Sequence, residues 1–241
     1  MCRMFGYVGS SEKELDALYV ALRTASGCDP FLKEVYSGCD GHPHGWGYVL
    51  RTNTQLYYYR TTVPVFKDEH TLPSFSGEVH AIFHSRLTTG GVTGDPAFSH
   101  PYVASTNHSI FYLAHNGGLT NAATVVPNKV DSEWALDQIV NEGRLATALP
   151  KLKENTQSAL NLLLMTVNRE RRAATIDYLN WYQGRGDKKK DGYYRMFKAT
   201  MAEGGKAVFS STLESLLVKH IVNGSNAPVE YGELQNLGPP A

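Results

Sequence analysis

The alternation of apolar and polar residues predicts strands in the first half of the chain. Arg3–Gly9 alternates in this way and is rich in aromatic residues and valine, which is typical of a strand beginning almost at residue 1. The segments 79–87 and 110–115 have the same character, and a glycine pair follows each of them within a few residues. Segments 48–51 and 55–60 flank a short polar stretch, which predicts a hairpin.

A different spacing predicts helices. Apolar residues recur at intervals of three and four from 15 to 22, and Ser11 precedes them as a candidate N-cap. A second helix is expected to start at Asp131 as its N-cap, and a third covers 145–153, broken or bent at Pro150.

The second half of the chain returns to strands. The predicted strands are 159–167, 173–182, 193–199 and 206–211, followed by a short helix over 212–220. Lysines 188–190 are interpreted as a solvated hairpin tip, and the residues after Gly224 as irregular surface structure. The order of strands, helices and strands, without a repeat or a linker, predicts a layered α+β fold.

The composition narrows the classes of function. Of 241 residues, 23 are basic and 23 are acidic, so the formal net charge is zero, and 42% of the residues are apolar. This apolar content excludes disorder, and zero net charge makes nucleic acid and an anionic membrane poor partners. We find no secretory signal and no apolar run long enough to span a bilayer, and therefore expect a soluble, cytoplasmic protein.

Cys2 is the residue with the most specific chemistry. A small residue after the initiator favours removal of Met1, which would leave Cys2 with both a thiol and a free α-amine. Such an amine has a reference pKa of roughly 7.7–8.0 and is a usable base for the thiol near neutral pH. The alternative interpretation is an ordinary buried cysteine of the first strand.

Other residues supply complementary chemistry. Arg86 and Thr89 lie at the end of a predicted strand, and an arginine fork with a nearby hydroxyl suits a carboxylate. Asn116 and Gly117 form the turn after the next strand, where a side-chain amide and a backbone N–H suit an oxyanion. Asp131 offers a carboxylate for an ammonium group. Each feature is weak alone, but together behind Cys2 they are specific.

These residues resemble the class II glutamine amidotransferases, whose glutaminase domains are N-terminal-nucleophile (Ntn) hydrolases. The resemblance covers about residues 1–135 in the order of the family, and the stand-alone glutaminase-domain type is the most similar. The elements that match are Cys2, the loop 40–47 with Pro-His-Gly-Trp-Gly, the strand end 84–89, the turn 115–117 and the segment 131–133.

The resemblance implies a fold, a reaction and a role for each residue. The fold is a four-layer αββα sandwich of two antiparallel sheets between helices, with 1–241 forming a single glutaminase domain. Cys2 would be the nucleophile and its α-amine the base, Asn116 and Gly117 the oxyanion hole, Arg86 with Thr89 the clamp for the glutamine carboxylate, and Asp131 the partner of its ammonium. L-Glutamine would yield glutamate and ammonia through a thioester, with a separate synthase subunit as a candidate acceptor of the ammonia. Leu87 departs from the pattern, because many members have an aromatic residue there.

Three alternatives stay open from the sequence. The same residues would serve a hydrolase of another γ-glutamyl amide, since they recognise only the glutamyl part. They would also serve a non-catalytic regulatory subunit that binds glutamine, although binding has no use for an N-terminal thiol. A metal enzyme is disfavoured because no motif with metal-ligand spacing is present, so we predict neither a metal nor another cofactor.

Overall fold

A computed structural model of the chain describes residues 2–36, 40–88, 93–120 and 130–238. The strands are β1 (Cys2–Gly9), β2 (Trp46–Thr52), β3 (Leu56–Thr61), β4 (Val79–Arg86), β5 (Tyr102–Ser105), β6 (Ser109–Leu119), β7 (Thr156–Asn168), β8 (Ala174–Leu179), β9 (Met196–Thr200), β10 (Lys206–Ser210), β11 (Ala227–Pro228) and β12 (Leu234–Asn236). The α-helices are α1 (Glu12–Gly27), α2 (Pro30–Val35), α3 (Asp131–Glu142), α4 (Leu145–Glu154), α5 (Lys188–Tyr194) and α6 (Ser211–Leu217), and 3₁₀ helices cover Pro96–Phe98 and Val218–His220.

The strands form two antiparallel sheets. The first sheet has seven strands in the order β11-β9-β10-β1-β4-β2-β3, and the second has five in the order β12-β8-β7-β6-β5. In the first sheet β1 lies between β10 and β4, so its backbone is paired on both sides. The predicted α+β class of two antiparallel sheets is confirmed.

The side chains of β1 alternate between two apolar cores. Phe5 and Tyr7 pack with α1 and α6 on the outer face of the first sheet, whereas Met4 and Val8 pack between the sheets. A third core joins β6 and β7 to α3 and α4 on the outer face of the second sheet. The layers therefore follow the order helices, sheet, sheet, helices, as the αββα prediction requires.

Several local predictions are wrong. Asn116 and Gly117 were expected in a turn after a strand, but they lie within β6, which continues to Leu119. Lysines 188–190 begin helix α5 rather than a hairpin tip, because the Asp187 side chain accepts hydrogen bonds from two backbone N–H groups of its first turn. The residues after Gly224 include β11 and β12, which add to the two sheets. Asp131 is the first residue of α3, and its N-cap is Val130.

Helix length bears on the question of a membrane. Within the described ranges, none of the helices combines the length and the apolar character needed to cross a bilayer.

Candidate active site

The alternation along two paired strands decides which side chains meet at the start of β1. Cys2 lies opposite Arg86 in the β1–β4 register, and Met4 lies opposite His84. Because Met4 belongs to the core between the sheets, Cys2, His84 and Arg86 all lie on that inner face. All three side chains are buried.

Asn116 reaches Cys2 from the second sheet. Its Oδ1 accepts a hydrogen bond from the Cys2 backbone nitrogen at 2.9 Å, although the two residues are 114 positions apart. Its Nδ2 is also buried, but it has no hydrogen-bond partner among the described residues. Buried polar groups are nearly always paired, so this amide presents an unused donor beside Cys2.

Gly117 follows Asn116 on β6 and lies against the backbone of β7. A Cβ at this position would lie 1.7 Å from the carbonyl oxygen of Ala159, so no other residue fits without a shift of the backbone. The register of the β6–β7 pair changes between Gly117 and Leu119. Such irregularities interrupt the regular ladder and are enriched near active sites, which suits a backbone N–H that serves a ligand.

The surroundings of the Cys2 thiol favour the thiolate. Burial by itself raises the pKa of a thiol, but the positive charge of the chain terminus and the proximity of His84 outweigh it. The pKa of Cys2 therefore lies well below its ordinary value. A thiol with a depressed pKa in an electropositive place is the usual setting of a nucleophilic cysteine.

Asp131 is anchored to the end of β6. Its Oδ2 accepts a hydrogen bond from the Leu119 N–H at 3.1 Å, and its Oδ1 accepts one from the Ser132 N–H at 2.8 Å. Burial and Glu133 raise the pKa of Tyr102, while Arg86 lowers it and Asp131 raises it. Arg86 and Asp131 therefore act electrostatically on one common side chain.

A loop supports the end of β4 that carries Arg86. The backbone of Arg86 exchanges hydrogen bonds with this loop, since its N–H donates to the Gly45 carbonyl at 2.9 Å and its carbonyl accepts from the His44 N–H at 3.0 Å. The Thr88 N–H donates to His44 Nδ1 at 3.0 Å. The loop that carries the sequence resemblance is therefore part of the site. Thr89, the predicted helper of Arg86, lies outside the described residues.

His100 is a site residue that the sequence analysis missed. Its ring packs against that of His84 at an angle of 40°, with a centroid distance of 4.0 Å, and neither ring nitrogen has a hydrogen-bond partner within the described residues. Burial, followed by the charges of His84, His115 and Arg86, holds the pKa of His100 well below its ordinary value, so the ring is neutral. In the sequence, the proline that follows it was the one feature that marked His100.

The part of the chain that the structure describes contains no group of three side chains that could hold a metal ion.

Two solved structures are similar to this chain over nearly its whole length. The allosteric regulatory enzyme of purine biosynthesis is 20% identical with a TM-score of 0.65, and the match covers 98% of this chain and 46% of that enzyme. Glutamine phosphoribosylpyrophosphate amidotransferase from B. subtilis is 19% identical with a TM-score of 0.63, over 98% of this chain and 47% of that protein. The chain has the Ntn hydrolase fold. The expected fold is thereby confirmed.

The similarity covers only part of each of these two solved structures. The chain spans about half the length of each of these two proteins. No protein-family model matches the sequence, and no curated protein matches it. At this identity the comparison establishes the Ntn hydrolase fold, and the roles of Cys2, Arg86, Asn116, Gly117 and Asp131 stay predictions.

A buried charge network lies behind Cys2 in this Ntn hydrolase fold. Arg3, the next residue of β1, points to the outer face, where its Nε contacts Asp29 Oδ2 at 2.5 Å. His42 Nε2 contacts the same carboxylate oxygen at 2.9 Å, and the Thr212 hydroxyl donates to Oδ1 at 2.8 Å. The Arg3 guanidinium also lies over the ring of Tyr193, 4.1 Å from its centroid. The network ties the start of β1 to α2, α5 and α6.

We expect the Asp29→Asn substitution to destabilise the protein by roughly 3–5 kcal/mol at pH 7, because it leaves the buried Arg3 charge without its partner. Burial opposes ionisation of Asp29, but Arg3 and His42 outweigh it and hold the pKa of Asp29 below its usual range. The stabilisation is therefore present above the unfolded pKa of about 3.9 and is lost as the pH falls through the folded pKa. Urea unfolding at pH 7 and across the acid range measures both effects.

The matched control for Asp29 is Asp40→Asn, which removes an exposed carboxylate that pairs with Lys33 at 3.3 Å. Exposed pairs contribute at most about 1 kcal/mol, so this variant should unfold almost as the wild type does. Equal stability of the Asp29 and Asp40 variants at pH 7 would contradict the proposed importance of the network.

Proposed function

We propose that this chain hydrolyses the side-chain amide of L-glutamine to glutamate and ammonia through a thioester on Cys2, after removal of Met1. One observation carries the proposal. The Asn116 amide binds the Cys2 nitrogen through Oδ1, and its buried Nδ2 has no hydrogen-bond partner among the described residues. After removal of Met1, this one side chain would hold the base and offer a donor to an oxyanion. One of the two proteins with the same fold is a glutamine amidotransferase, which supports the proposal.

The first half of the reaction forms the thioester. The α-amine of Cys2 takes the thiol proton, and the sulfur attacks the side-chain carbonyl carbon of glutamine, so that a C–S bond forms and the oxygen becomes an oxyanion. Asn116 Nδ2 and the Gly117 N–H donate to that oxygen. When the oxyanion collapses, the C–N bond breaks, and the Cys2 ammonium gives its proton to the departing nitrogen, which leaves as ammonia.

The second half releases glutamate. A water molecule attacks the thioester carbon and gives a proton to the Cys2 amine, and the oxyanion again forms between Asn116 and Gly117. Collapse of the oxyanion breaks the C–S bond, and the proton returns to the sulfur. The chain is then ready for another glutamine, and each turnover consumes one water. The ammonia either diffuses away or passes to an acceptor on a separate synthase subunit.

The charges of the site select the amino-acid end of the substrate. Arg86 suits the α-carboxylate as a two-pronged donor, and Asp131 suits the α-ammonium. A substrate that lacks either group would lose one of these two contacts between opposite charges, so it would bind more weakly. The site therefore favours free glutamine or a compound with an intact glutamyl end.

The test is mass spectrometry of the intact protein before and after reaction with a glutamine-like diazoketone, with peptide mapping of the adduct. We expect a chain that lacks Met1 and carries one adduct on Cys2, and excess glutamine should block labelling. The exposed Cys28 provides the internal control, because it should react with iodoacetamide but not with the diazoketone. A processed Cys2 that neither reacts nor releases ammonia from glutamine would overturn the proposal, and glutamine binding without turnover would assign the chain to regulation.

We expect Arg86→Ala to raise KM for glutamine about 10–100-fold with a smaller change in kcat, because a hydrogen bond between charged groups contributes about 1.5–3 kcal/mol to binding. Steady-state ammonia release measures both constants. The wild type should discriminate against a glutamine whose α-carboxylate is an amide, and the variant should lose that discrimination. An unchanged KM, or preserved discrimination, would remove Arg86 from the carboxylate site.

A further inference from the structure

A cavity opens at the opposite end of the strands that carry the candidate active site. Its volume is about 320 Å³, and its walls include Arg51 of β2, His80 of β4 and the hairpin between β7 and β8. His80 is six residues before Arg86 on β4. At about 3.3 Å per residue, the cavity lies roughly 20 Å from Cys2, so it is separate from the glutamine site.

The cavity concentrates positive charge in a protein whose formal net charge is zero. Arg51, Arg171 and Arg172 line it, and Glu78 is the acidic residue in its wall. Glu78 Oε1 lies 3.8 Å from His80 Nδ1. Among the described residues, the guanidinium groups of Arg171 and Arg172 have no carboxylate within 4.0 Å. The three arginines and the one glutamate together give the cavity wall a net charge of about +2, which a bound anion would neutralise.

Arg51 is held in place at the base of the cavity. It is 9% exposed, and its guanidinium donates to the Thr52 carbonyl at 3.0 Å and to the Arg172 carbonyl. A guanidinium has five N–H donors, so the bonds to these two carbonyls leave others for a ligand. A buried and oriented arginine loses little freedom when it binds an anion, unlike an arginine on an open surface.

Arg172 has a backbone conformation that is unfavourable for a residue with a side chain. Arg172 has a φ of +53°. Among the described residues, no other residue except glycine has a positive φ. The left-handed region disfavours residues with a Cβ, and a hairpin usually has glycine or asparagine at such a position. Asn168 Oδ1 holds the turn by accepting the N–H groups of Glu170 and Arg171 at 3.0 and 2.8 Å. Strain that glycine would relieve points to a use for the Arg172 side chain.

We propose that this cavity binds the phosphate group of a small phosphorylated metabolite. A phosphate carries up to two negative charges on one tetrahedral group, which matches the excess charge, and planar guanidinium groups pair with its oxygens two at a time. The volume lies at the lower end of the range for small-molecule sites, so it suits a small metabolite rather than a macromolecule. The site lies on the same chain as the candidate glutaminase site but does not depend on that function.

The test is calorimetric titration of the full chain with inorganic phosphate at constant ionic strength, with succinate as the dicarboxylate comparison. We expect saturable binding of one phosphate per chain and at least tenfold weaker binding of succinate. Arg172→Gly should weaken phosphate binding at least tenfold while raising the melting temperature by about 2–4 °C, because it removes the guanidinium and relieves the backbone. Loss of binding in a more stable protein cannot come from misfolding.

The controls separate this site from nonspecific attraction. Arg171→Ala should also weaken binding at least tenfold, whereas Lys219→Ala, which removes a cation away from the cavity, should not change it. Ammonia release from glutamine serves as an independent readout and should be equal in all three variants and the wild type. The proposal is overturned if the wild type shows no saturable phosphate binding, if the Arg171 and Arg172 variants bind as the wild type does, or if succinate binds as tightly as phosphate.

Discussion

Replacing Cys2 by alanine is expected to abolish ammonia release from glutamine, by at least about a thousandfold in kcat, while glutamine still binds. The substitution removes the sulfur that would form the proposed thioester, and loss of a covalent nucleophile has effects of this order or larger. Alanine is also small, so removal of Met1 should continue and the α-amine should stay in place. The substitution leaves Arg86 and Asp131, the predicted binding groups, unchanged. A coupled ammonia assay and calorimetric titration with glutamine measure the two quantities.

The matched control for this variant is Cys28→Ser, because Cys28 is a free and exposed cysteine on the same chain. It should keep wild-type kcat and KM. A Cys2→Ala variant with the wild-type rate would show that glutamine hydrolysis does not use the thiol. A variant that has lost both turnover and glutamine binding calls for comparison of its unfolding curve with that of the wild type.

The second large effect is expected at Asn116, whose replacement by alanine should lower kcat about 10²–10³-fold with little change in KM. The range is that of a removed oxyanion donor, since the Nδ2 group would act on charge that develops only in the transition state. Asn116→Asp separates the two contacts of the amide. The aspartate keeps an oxygen to accept from the Cys2 nitrogen, but it has no N–H donor at the oxyanion and adds a negative charge there.

Both Asn116 variants should therefore lose activity, and Asn116→Asp should be no better than Asn116→Ala. Near-normal activity of Asn116→Asp would instead show that the residue only anchors the Cys2 nitrogen. Thermal unfolding of both variants checks that the fold is intact. The rate of diazoketone labelling gives a readout of the thiol that does not require turnover.

The strand pattern predicted the elements that hold the site, but not the distances within it. β1, β4 and β6 follow from local alternation, and the motifs at their ends identified Cys2, Arg86 and Asn116. That Asn116 Oδ1 lies 2.9 Å from the Cys2 nitrogen depends on the β1–β4 register and on how the two sheets face each other. Both are set by core packing among many residues, which a local pattern does not contain.

Elements with weak local signals were interpreted wrongly where distant contacts decide the structure. Lysines 188–190 look like an exposed tip, yet α5 continues to Tyr193 and Tyr194, which are buried in the fold. Tyr193 is buried because its ring lies against Arg3, far away in the sequence. His100 was missed for the same reason, since its ring contact with His84 joins a strand to a loop.

The sequence by itself determined the α+β class, the positions of the main strands and the set of chemical groups headed by Cys2. These follow from periodicity and from residue chemistry, which are local properties. Only the tertiary structure decided that one amide side chain binds the Cys2 nitrogen and has a buried donor without a partner among the described residues. It also decided that Arg3, Asp29 and His42 share one buried network, and that Arg51 and a left-handed Arg172 line a cationic cavity. Such contacts form when the sheet register and the packing bring distant segments together. A polar group that is buried in this way either pairs with another group of the protein or is available to a ligand.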